Sequence, residues 1–245
     1  MASQFALLLF LLIILLLALL GARRRRPLAL RPIAAFDALP GQIGRAAESG
    51  QILHLSLGTG GVGGSDTVTS LASLSALAHL AEQGVATDTP PLVTVSDPTL
   101  LPLALNVLRR AYARHGRSGD FRWTQVRMVS PLPMAYALGV TDVLRHEPIL
   151  ANVMLGAYGP EVGLIAHAGS EANLVQISGS DDPSALAILY ASTDHVAIGE
   201  ELYAIDAYLS REPAKVASLA AEDVARIILI VSVIIFSFLR VSGVL

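Results

Sequence analysis

A glycine-dense turn follows the first regular apolar stretch of the chain. Gly58, Thr59, Gly60, Gly61 and Gly63 satisfy the pattern G-x-G-x-x-G, after a predicted strand and before a predicted helix. Such a loop can bring backbone N–H groups and a helix N-terminus to a phosphate. The loop is therefore a candidate binding site for a nucleotide or another phosphorylated small molecule.

Several features around this loop weaken the nucleotide interpretation. The acid expected about 20 residues after the loop, at the end of the second strand, is absent there; Asp97, at the likely end of that strand, comes thirty-four residues after Gly63. Asp66, at the start of the predicted helix, repels a phosphate there. No Lys follows the loop, so it is not a Walker loop. The alternative is a tight turn or a contact with a neighbouring subunit, since glycine permits close backbone approach. No cofactor is predicted.

Other polar residues near predicted strand ends complete the set of candidates. Asp97 and Ser130 each follow a strand and join the glycine loop as candidate ligand-binding residues. Ser56 and Ser178 lack the glycine pattern of a serine nucleophile. His54 alternates with apolar residues, which favours a core or interface histidine. From these residues we predict no catalytic residue. The chain has no Cys and no clustered metal ligands, so we also predict no metal site.

Strands and helices alternate from residue 51 onward. The pattern predicts strands at 52–57, 92–95, 123–129, 149–158 and 173–178, with helices at 66–83, 98–115, 131–144, 160–167, 183–191 and 198–209. This alternation predicts an α/β fold, a Rossmann-like open parallel sheet of about five strands flanked by helices. The carboxyl ends of parallel strands share one edge, where such sheets bind ligands. The glycine loop, Asp97 and Ser130 should meet there.

Two apolar segments flank this α/β domain, which we place at residues 51–211. Residues 5–22 carry no charge and span roughly 27 Å as a helix, so residues 1–22 are predicted to cross a membrane. Residues 226–245 are predicted to form a second transmembrane helix. Between these helices and the domain lie a basic juxtamembrane linker at 23–50 and an acidic linker at 212–225.

A basic cluster directly after the first apolar segment sets the predicted orientation. Arg23, Arg24, Arg25 and Arg26 are candidate membrane-surface residues. The tendency of basic residues to stay on the cytoplasmic side places the main domain in the cytoplasm. The predicted location is the cell membrane, with two transmembrane helices and the lipid bilayer as one partner.

Charge is distributed unevenly along the domain. Residues 98–141 hold six Arg and one Asp, whereas residues 142–225 hold thirteen acids and three bases. All twenty acids lie between residues 27 and 225, and a domain this acidic disfavours nucleic acid as a partner. If the basic and acidic blocks lie on different faces, copies can join head to tail. A homo-oligomer, or assembly with other membrane protein subunits, is therefore predicted.

Two segments of the chain resemble a known family. The run LSLGTGGVGGSDT at residues 55–67, together with GSDDP at residues 179–183, resembles an uncharacterised family of bacterial membrane-anchored proteins. The resemblance extends through most of the region between the apolar ends. It implies membrane anchoring and supplies no assigned activity and no functional residues.

Two functional hypotheses follow from the sequence. The favoured one is a membrane-anchored α/β module with a structural, scaffolding or accessory role in a membrane protein assembly. The alternative is a membrane-tethered binding domain or enzyme for a phosphorylated small molecule or nucleotide, using the glycine loop. The architecture hosts many functions, so the fold alone does not decide between them.

Overall fold

The computed structural model describes residues 30–241 of the chain. The predicted transmembrane helix at residues 1–22 and the candidate membrane-surface residues Arg23, Arg24, Arg25 and Arg26 lie outside the described residues. Pro32–Leu209 form one compact unit, and the last long helix belongs to another.

Helices and strands alternate through most of the described chain. The strands are β1 (Ile52–Gly58), β2 (Leu92–Val95), β3 (Val126–Met128), β4 (Ile149–Ala157), β5 (Val175–Ser180) and β6 (His195–Ile198). The helices are α1 (Ala34–Ser49), α2 (Thr67–Ala86), α3 (Leu100–Arg114), α4 (Pro133–His146), α5 (Val162–Glu171), α6 (Pro183–Ser192), α7 (Ile205–Ser210) and α8 (Pro213–Val241). A 3-10 helix, Gly199–Ala204, connects β6 to α7.

The six strands form one sheet in the order β3-β2-β1-β4-β5-β6, and every neighbouring pair is parallel. The predicted Rossmann-like parallel sheet is confirmed. The sixth strand, His195–Ile198, was not predicted, and its last residue was assigned to the helix predicted at 198–209. The order reverses between β1 and β4, which places the crevice of the fold between their carboxyl ends.

Alternate residues of the strands face two separate cores. Leu53, Leu55 and Leu57 of β1 pack in a core with residues of α1, α2 and α3. A second core contains Tyr136 of α4 and Met154 of β4, with residues of α5 and α6. Because successive strand side chains point to opposite faces, Ser56 of β1 and Met154 of β4 face the second core.

Helix α1 occupies much of the predicted basic linker. The segment at 34–49 was predicted to be part of a linker, but it forms a sixteen-residue helix. Phe36, Leu39 and Ile43 recur at helical spacing and are buried in the first core. Gly50, at φ 69°, ends the helix in the left-handed conformation that glycine permits.

Helix α8 contains both the predicted acidic linker and most of the predicted second transmembrane helix. Its apolar stretch, residues 227–239, lies between Arg226 and Arg240. Thirteen residues span roughly 20 Å, well short of a hydrocarbon core of about 30 Å. Within residues 30–241, no helix combines the length and the apolar character that crossing a bilayer requires. The predicted transmembrane helix at 226–245 is therefore wrong. The predicted location, with two membrane helices and a cytoplasmic domain, is overturned with it.

Candidate functional site

The loop after β1 lies directly against the end of β4. The Thr59 amide donates to the Ala157 carbonyl at 2.8 Å. Gly58 has φ +82°, and a Cβ there would collide with the same carbonyl. A side chain at position 58 is therefore excluded by both backbone conformation and space. The first glycine of the loop joins the two strands at which the sheet order reverses.

Neighbouring aspartate side chains leave no room for a Cβ at the next two glycines of the loop. A Cβ on Gly60 would lie 2.8 Å from Cβ of Asp66, and one on Gly61 would collide with the Asp97 carboxylate. Asp97 also accepts the Thr99 amide at 2.8 Å. Gly63, at φ +110°, faces open space. The structure thus brings the glycine loop and Asp97 together, and close packing explains Gly58, Gly60 and Gly61, whereas the positive φ explains Gly63.

Ser130 lies farther along the same sheet edge. Its carbonyl accepts a hydrogen bond from the Ser96 hydroxyl at 2.6 Å, and its own hydroxyl accepts the Leu132 amide at 3.2 Å. Among the described residues no hydrogen bond joins Ser130 to the glycine loop. Ser130 therefore orders the ends of β2 and β3, and it does not form one site with the loop.

A cleft of about 400 Å³ opens on the other side of the loop, where β1, β4 and β5 end. It is lined by Thr59, Asp66, Ala157, Tyr158, Gly159, Asp181, Asp182 and Pro183. Three of these residues are acids and none is basic. The position is the one at which open α/β sheets bind ligands, but the charge opposes a phosphate.

The carboxylates of this cleft are bonded to the protein itself. Asp181 Oδ2 accepts from the Thr69 hydroxyl at 2.7 Å and from the Tyr203 hydroxyl at 2.9 Å. Asp182 caps α6, and the hydrogen bond from the Ser184 hydroxyl, with those from backbone amides, lowers the pKa of Asp182. No group of three or more His, Cys, Asp and Glu in the described part of the chain could hold a metal ion. These acids therefore order the loops.

Beneath the cleft, polar side chains form a continuous hydrogen-bonded row across the second core. We call this row the buried polar chain; it comprises Tyr158, Ser56, Tyr136, Thr94, His54, Asn152 and Gln176. Every one of these residues is buried. The row begins at Tyr158 in the wall of the cleft and crosses four strands. Sequence analysis predicted His54 to be a core or interface histidine but missed its partners.

The part of the buried polar chain nearest the cleft consists of hydroxyls. The Tyr158 hydroxyl donates to Ser56 Oγ at 2.6 Å. Ser56 Oγ lies 2.7 Å from the Tyr136 hydroxyl, which lies 3.0 Å from Thr94 Oγ1. Burial raises the pKa of Tyr136 to about 12 and that of Tyr158 well above 10. Both tyrosines are therefore protonated donors at neutral pH.

The inner part of the buried polar chain fixes the protonation of His54. Nε2 lies 3.0 Å from Thr94 Oγ1, and Nδ1 lies 2.8 Å from Asn152 Oδ1. Asn152 in turn donates to Gln176 Oε1 at 3.2 Å. If each hydroxyl donates in the same direction along the row, Nε2 accepts from Thr94 and Nδ1–H donates to Asn152. Burial, opposed by the Asn152 hydrogen bond, lowers the pKa of His54 from 6.5 to about 4. The imidazole is therefore neutral.

A different surface lies along β3, at one edge of the sheet. Within the described residues β3 pairs only with β2, and a groove of about 580 Å³ runs beside it. We call this the β3 groove; it is lined by Leu101, Leu105, Trp123, Thr124, Val126, Arg127 and Met128. Trp123 is 74% exposed and Met128 is 40% exposed. Large exposed apolar side chains along an open strand edge are typical of an interaction surface.

One arginine lines the β3 groove, and two further exposed arginines neighbour its lining residues along the chain; we call these three arginines its rim. Arg127 lines it, Arg122 precedes Trp123, and Arg109 lies one turn after Leu105 on α3. Arg127 donates to Glu147 at 2.7 Å. Within residues 30–241, Arg109 and Arg122 have no ion-pair partner. The groove therefore has an apolar floor and a positively charged rim.

The opposite edge of the sheet has the opposite charge. Asp194 precedes β6 and is exposed, and Glu200 and Glu201 follow it. Ile198, at the end of β6, is 51% exposed. Residues from the basic and acidic blocks of the sequence thus lie at the two ends of the strand order. Sequence analysis noted the blocks but not the groove, because the position of β3 at the edge of the sheet depends on the strand order.

The strand order, the parallel pairing and the crevice between β1 and β4 define a Rossmann-like α/β protein. The chain belongs to the family described as a domain of unknown function (DUF6754), which matches residues 1–244. No curated protein and no solved structure matches the chain. The resemblance to an uncharacterised family is confirmed to this extent, and the match shows neither membrane anchoring nor bacterial origin.

Proposed function

We propose that this protein is an association module, a Rossmann-like subunit with a structural or accessory role in a protein assembly. The β3 groove is its docking surface. Its partner is a protein segment that presents an apolar side chain flanked by acidic ones. The observation that carries the proposal is the combination of an exposed Trp123 with a rim of arginines along an open strand edge.

The composition of the groove supports association. Trp, Met and Arg are the residue types enriched at protein interfaces, and buried Trp and Arg dominate binding energies there. Covering Trp123 removes a large apolar surface from water. Arg109 and Arg122, which have no ion-pair partner in the described part of the chain, are available to acidic groups of the partner. An open strand edge can also accept an extended segment through backbone hydrogen bonds.

The sheet edge at the carboxyl ends of the strands favours an association module over a nucleotide-binding protein. A phosphate at the start of α2 would approach Asp66, which occupies the N-cap position, and would lie in the cleft that Asp181 and Asp182 also line. Like charges without a compensating base disfavour such a ligand. The glycines that suggested a phosphate loop are accounted for by contacts with Ala157 and Asp97.

The test is site-specific photocrosslinking of the full chain in its native cells. A photoreactive amino acid replaces Trp123, and a control chain carries it at Tyr190, which is 72% exposed on α6. We expect position 123 to give a discrete crosslinked protein that mass spectrometry identifies. Changing Arg109 and Arg122 to Glu should abolish this product. Equal products from positions 123 and 190, or none from either, would contradict the proposal.

The cleft at the switch point favours a second candidate function, the binding of a small ligand that carries an amine or hydroxyl groups. Its position between β1, β4 and β5 and its acidic lining are the supporting observations. Thermal unfolding of the full chain with a polyamine, with glucose and with ATP tests it. Stabilisation by the polyamine or the sugar that disappears in Asp181→Asn is the expected result, and stabilisation by ATP alone would reject it.

A further inference from the structure

We infer that the partner of the β3 groove is the β6 edge of a second copy of this chain, so that copies join head to tail. This inference rests on the proposed function, because it names the occupant of the same groove. It depends on the placement of two complementary surfaces at opposite ends of one sheet.

The β6 edge has the chemistry that the groove requires. Ile198 offers an apolar side chain that is 51% exposed. Asp194 and Glu200, both exposed, lie on either side of it in the sequence. The groove presents Trp123 as its apolar group and arginines as its rim. Each edge therefore has an apolar side chain, and the arginines of one edge are complementary to the acids of the other. This charge complementarity favours a second copy of the chain as the partner.

The direction of the strands allows the sheet to continue from copy to copy. All six strands are parallel, with β3 at one end and β6 at the other. Placing β6 of one copy beside β3 of the next extends the sheet without reversing a strand. The contact is heterologous, since two different surfaces meet, and it leaves one groove and one β6 edge open at the ends of a chain of copies.

The same charges oppose the symmetric alternatives. Two β3 edges brought together would place Arg109 and Arg122 of one copy near those of the other. Two β6 edges would bring Asp194 and Glu200 together in the same way. Like charges at a contact are unfavourable, so the arrangement discriminates against two-fold dimers built on either edge. With only three residues in β3 and four in β6, backbone pairing alone is a small contribution, and the side chains must supply the rest.

Two variants of the full chain separate the two surfaces. The groove variant carries Arg122→Glu and Trp123→Glu, and the edge variant carries Ile198→Lys and Glu200→Lys. All four positions are exposed, so the fold is expected to persist, which circular dichroism verifies. The control variant reverses a surface ion pair away from both edges, with Arg145→Glu and Glu171→Lys.

Sedimentation velocity of the purified proteins over a range of concentrations is the measurement. We expect the unchanged protein and the control to associate, and this association to weaken as salt is raised. Each variant alone should remain monomeric. An equal mixture of the two variants should form a one-to-one dimer and nothing larger, because each variant supplies one intact surface.

Several results would overturn the inference. They are a monomeric unchanged protein, persistent association of either variant alone, and a mixture of the two variants that forms no dimer. The photocrosslinking product at position 123 separates this inference from the proposed function. A product that joins the chain only to a different protein rejects the second copy and keeps the docking role, whereas the absence of any product rejects both.

Discussion

The buried imidazole of His54 gives this protein a specific sensitivity to acid. His54 is completely buried in the second core, and burial lowers its pKa from 6.5 to about 4. In the unfolded chain the imidazole takes up a proton below pH 6.5, whereas in the folded chain it stays neutral down to about pH 4. The unfolded state therefore binds one more proton in this interval. Stability falls as the pH decreases through it, and the contribution is constant above pH 6.5.

The expected magnitude follows from the width of this interval. At about 1.4 kcal/mol for each pH unit, the interval between the two pKa values corresponds to about 3 kcal/mol of unfolding free energy. Carboxylates titrate in the same range, so the prediction concerns a difference between proteins. Relative to His54→Gln, the unchanged protein should lose about 3 kcal/mol of stability between about pH 7 and pH 4.

Urea unfolding followed by circular dichroism at a series of pH values measures this difference. At neutral pH His54→Gln is expected to be the less stable protein, because it disturbs the bonds to Thr94 and Asn152. As the pH falls the two stabilities should converge or cross. His146→Gln is the control, since that side chain is 73% exposed. A stability difference between the unchanged protein and His54→Gln that does not vary with pH would refute a neutral buried imidazole.

Three further predictions concern the core and the loop. Tyr136→Phe removes the hydroxyl that bonds Ser56 and Thr94, and it should cost about 1–3 kcal/mol in urea unfolding, whereas Tyr190→Phe at an exposed position should cost almost nothing. Gly61→Ala places a methyl group on the Asp97 carboxylate and should destabilise the protein by about 1–3 kcal/mol. Gly64→Ala, which faces open space, should change stability by less than about 0.5 kcal/mol. Calorimetry should show no micromolar binding of NAD or ATP, and saturable binding lost in Gly60→Val would favour the nucleotide hypothesis.

The sequence predicted the alternation of strands and helices well, because apolar segments indicate the strands and prolines indicate where helices begin. It was less accurate at the helix starts. Pro98, Pro131 and Pro160 were each expected at the first helical position, but α3, α4 and α5 begin two residues later. Of the four prolines predicted at a helix start, Pro183 alone opens its helix as predicted, after the Asp182 cap. An acid or serine before proline also forms a turn on its own, and sequence alone does not distinguish the two outcomes.

The candidate sites were predicted less completely than the fold. The glycine loop and Asp97 were expected at one edge of the sheet, and they are in contact there. Polar residues at alternate positions of β1, His54 and Ser56, carried a signal for a polar core face. Their tyrosine partners, Tyr136 and Tyr158, come from segments about eighty and one hundred residues away. Such contacts depend on strand order, which the sequence of one chain does not specify.

The distribution of polar groups in the fold connects the two functional proposals. At the carboxyl ends of the strands, Asp97 and Asp182 accept backbone amides of the turns that follow them, and Asp181 accepts the hydroxyl of Thr69 on α2. The members of the buried polar chain are likewise hydrogen-bonded within the protein. Carboxylates that accept hydrogen bonds from the protein order the structure, and the cleft lining offers no basic group for a phosphate. Arg109 and Arg122 have no ion-pair partner in the described chain; Arg122 directly precedes the exposed Trp123, and Arg109 lies one turn after Leu105 of the groove. An open apolar strand edge can pair with other chains unless it is covered. We therefore expect a partner to cover the β3 groove.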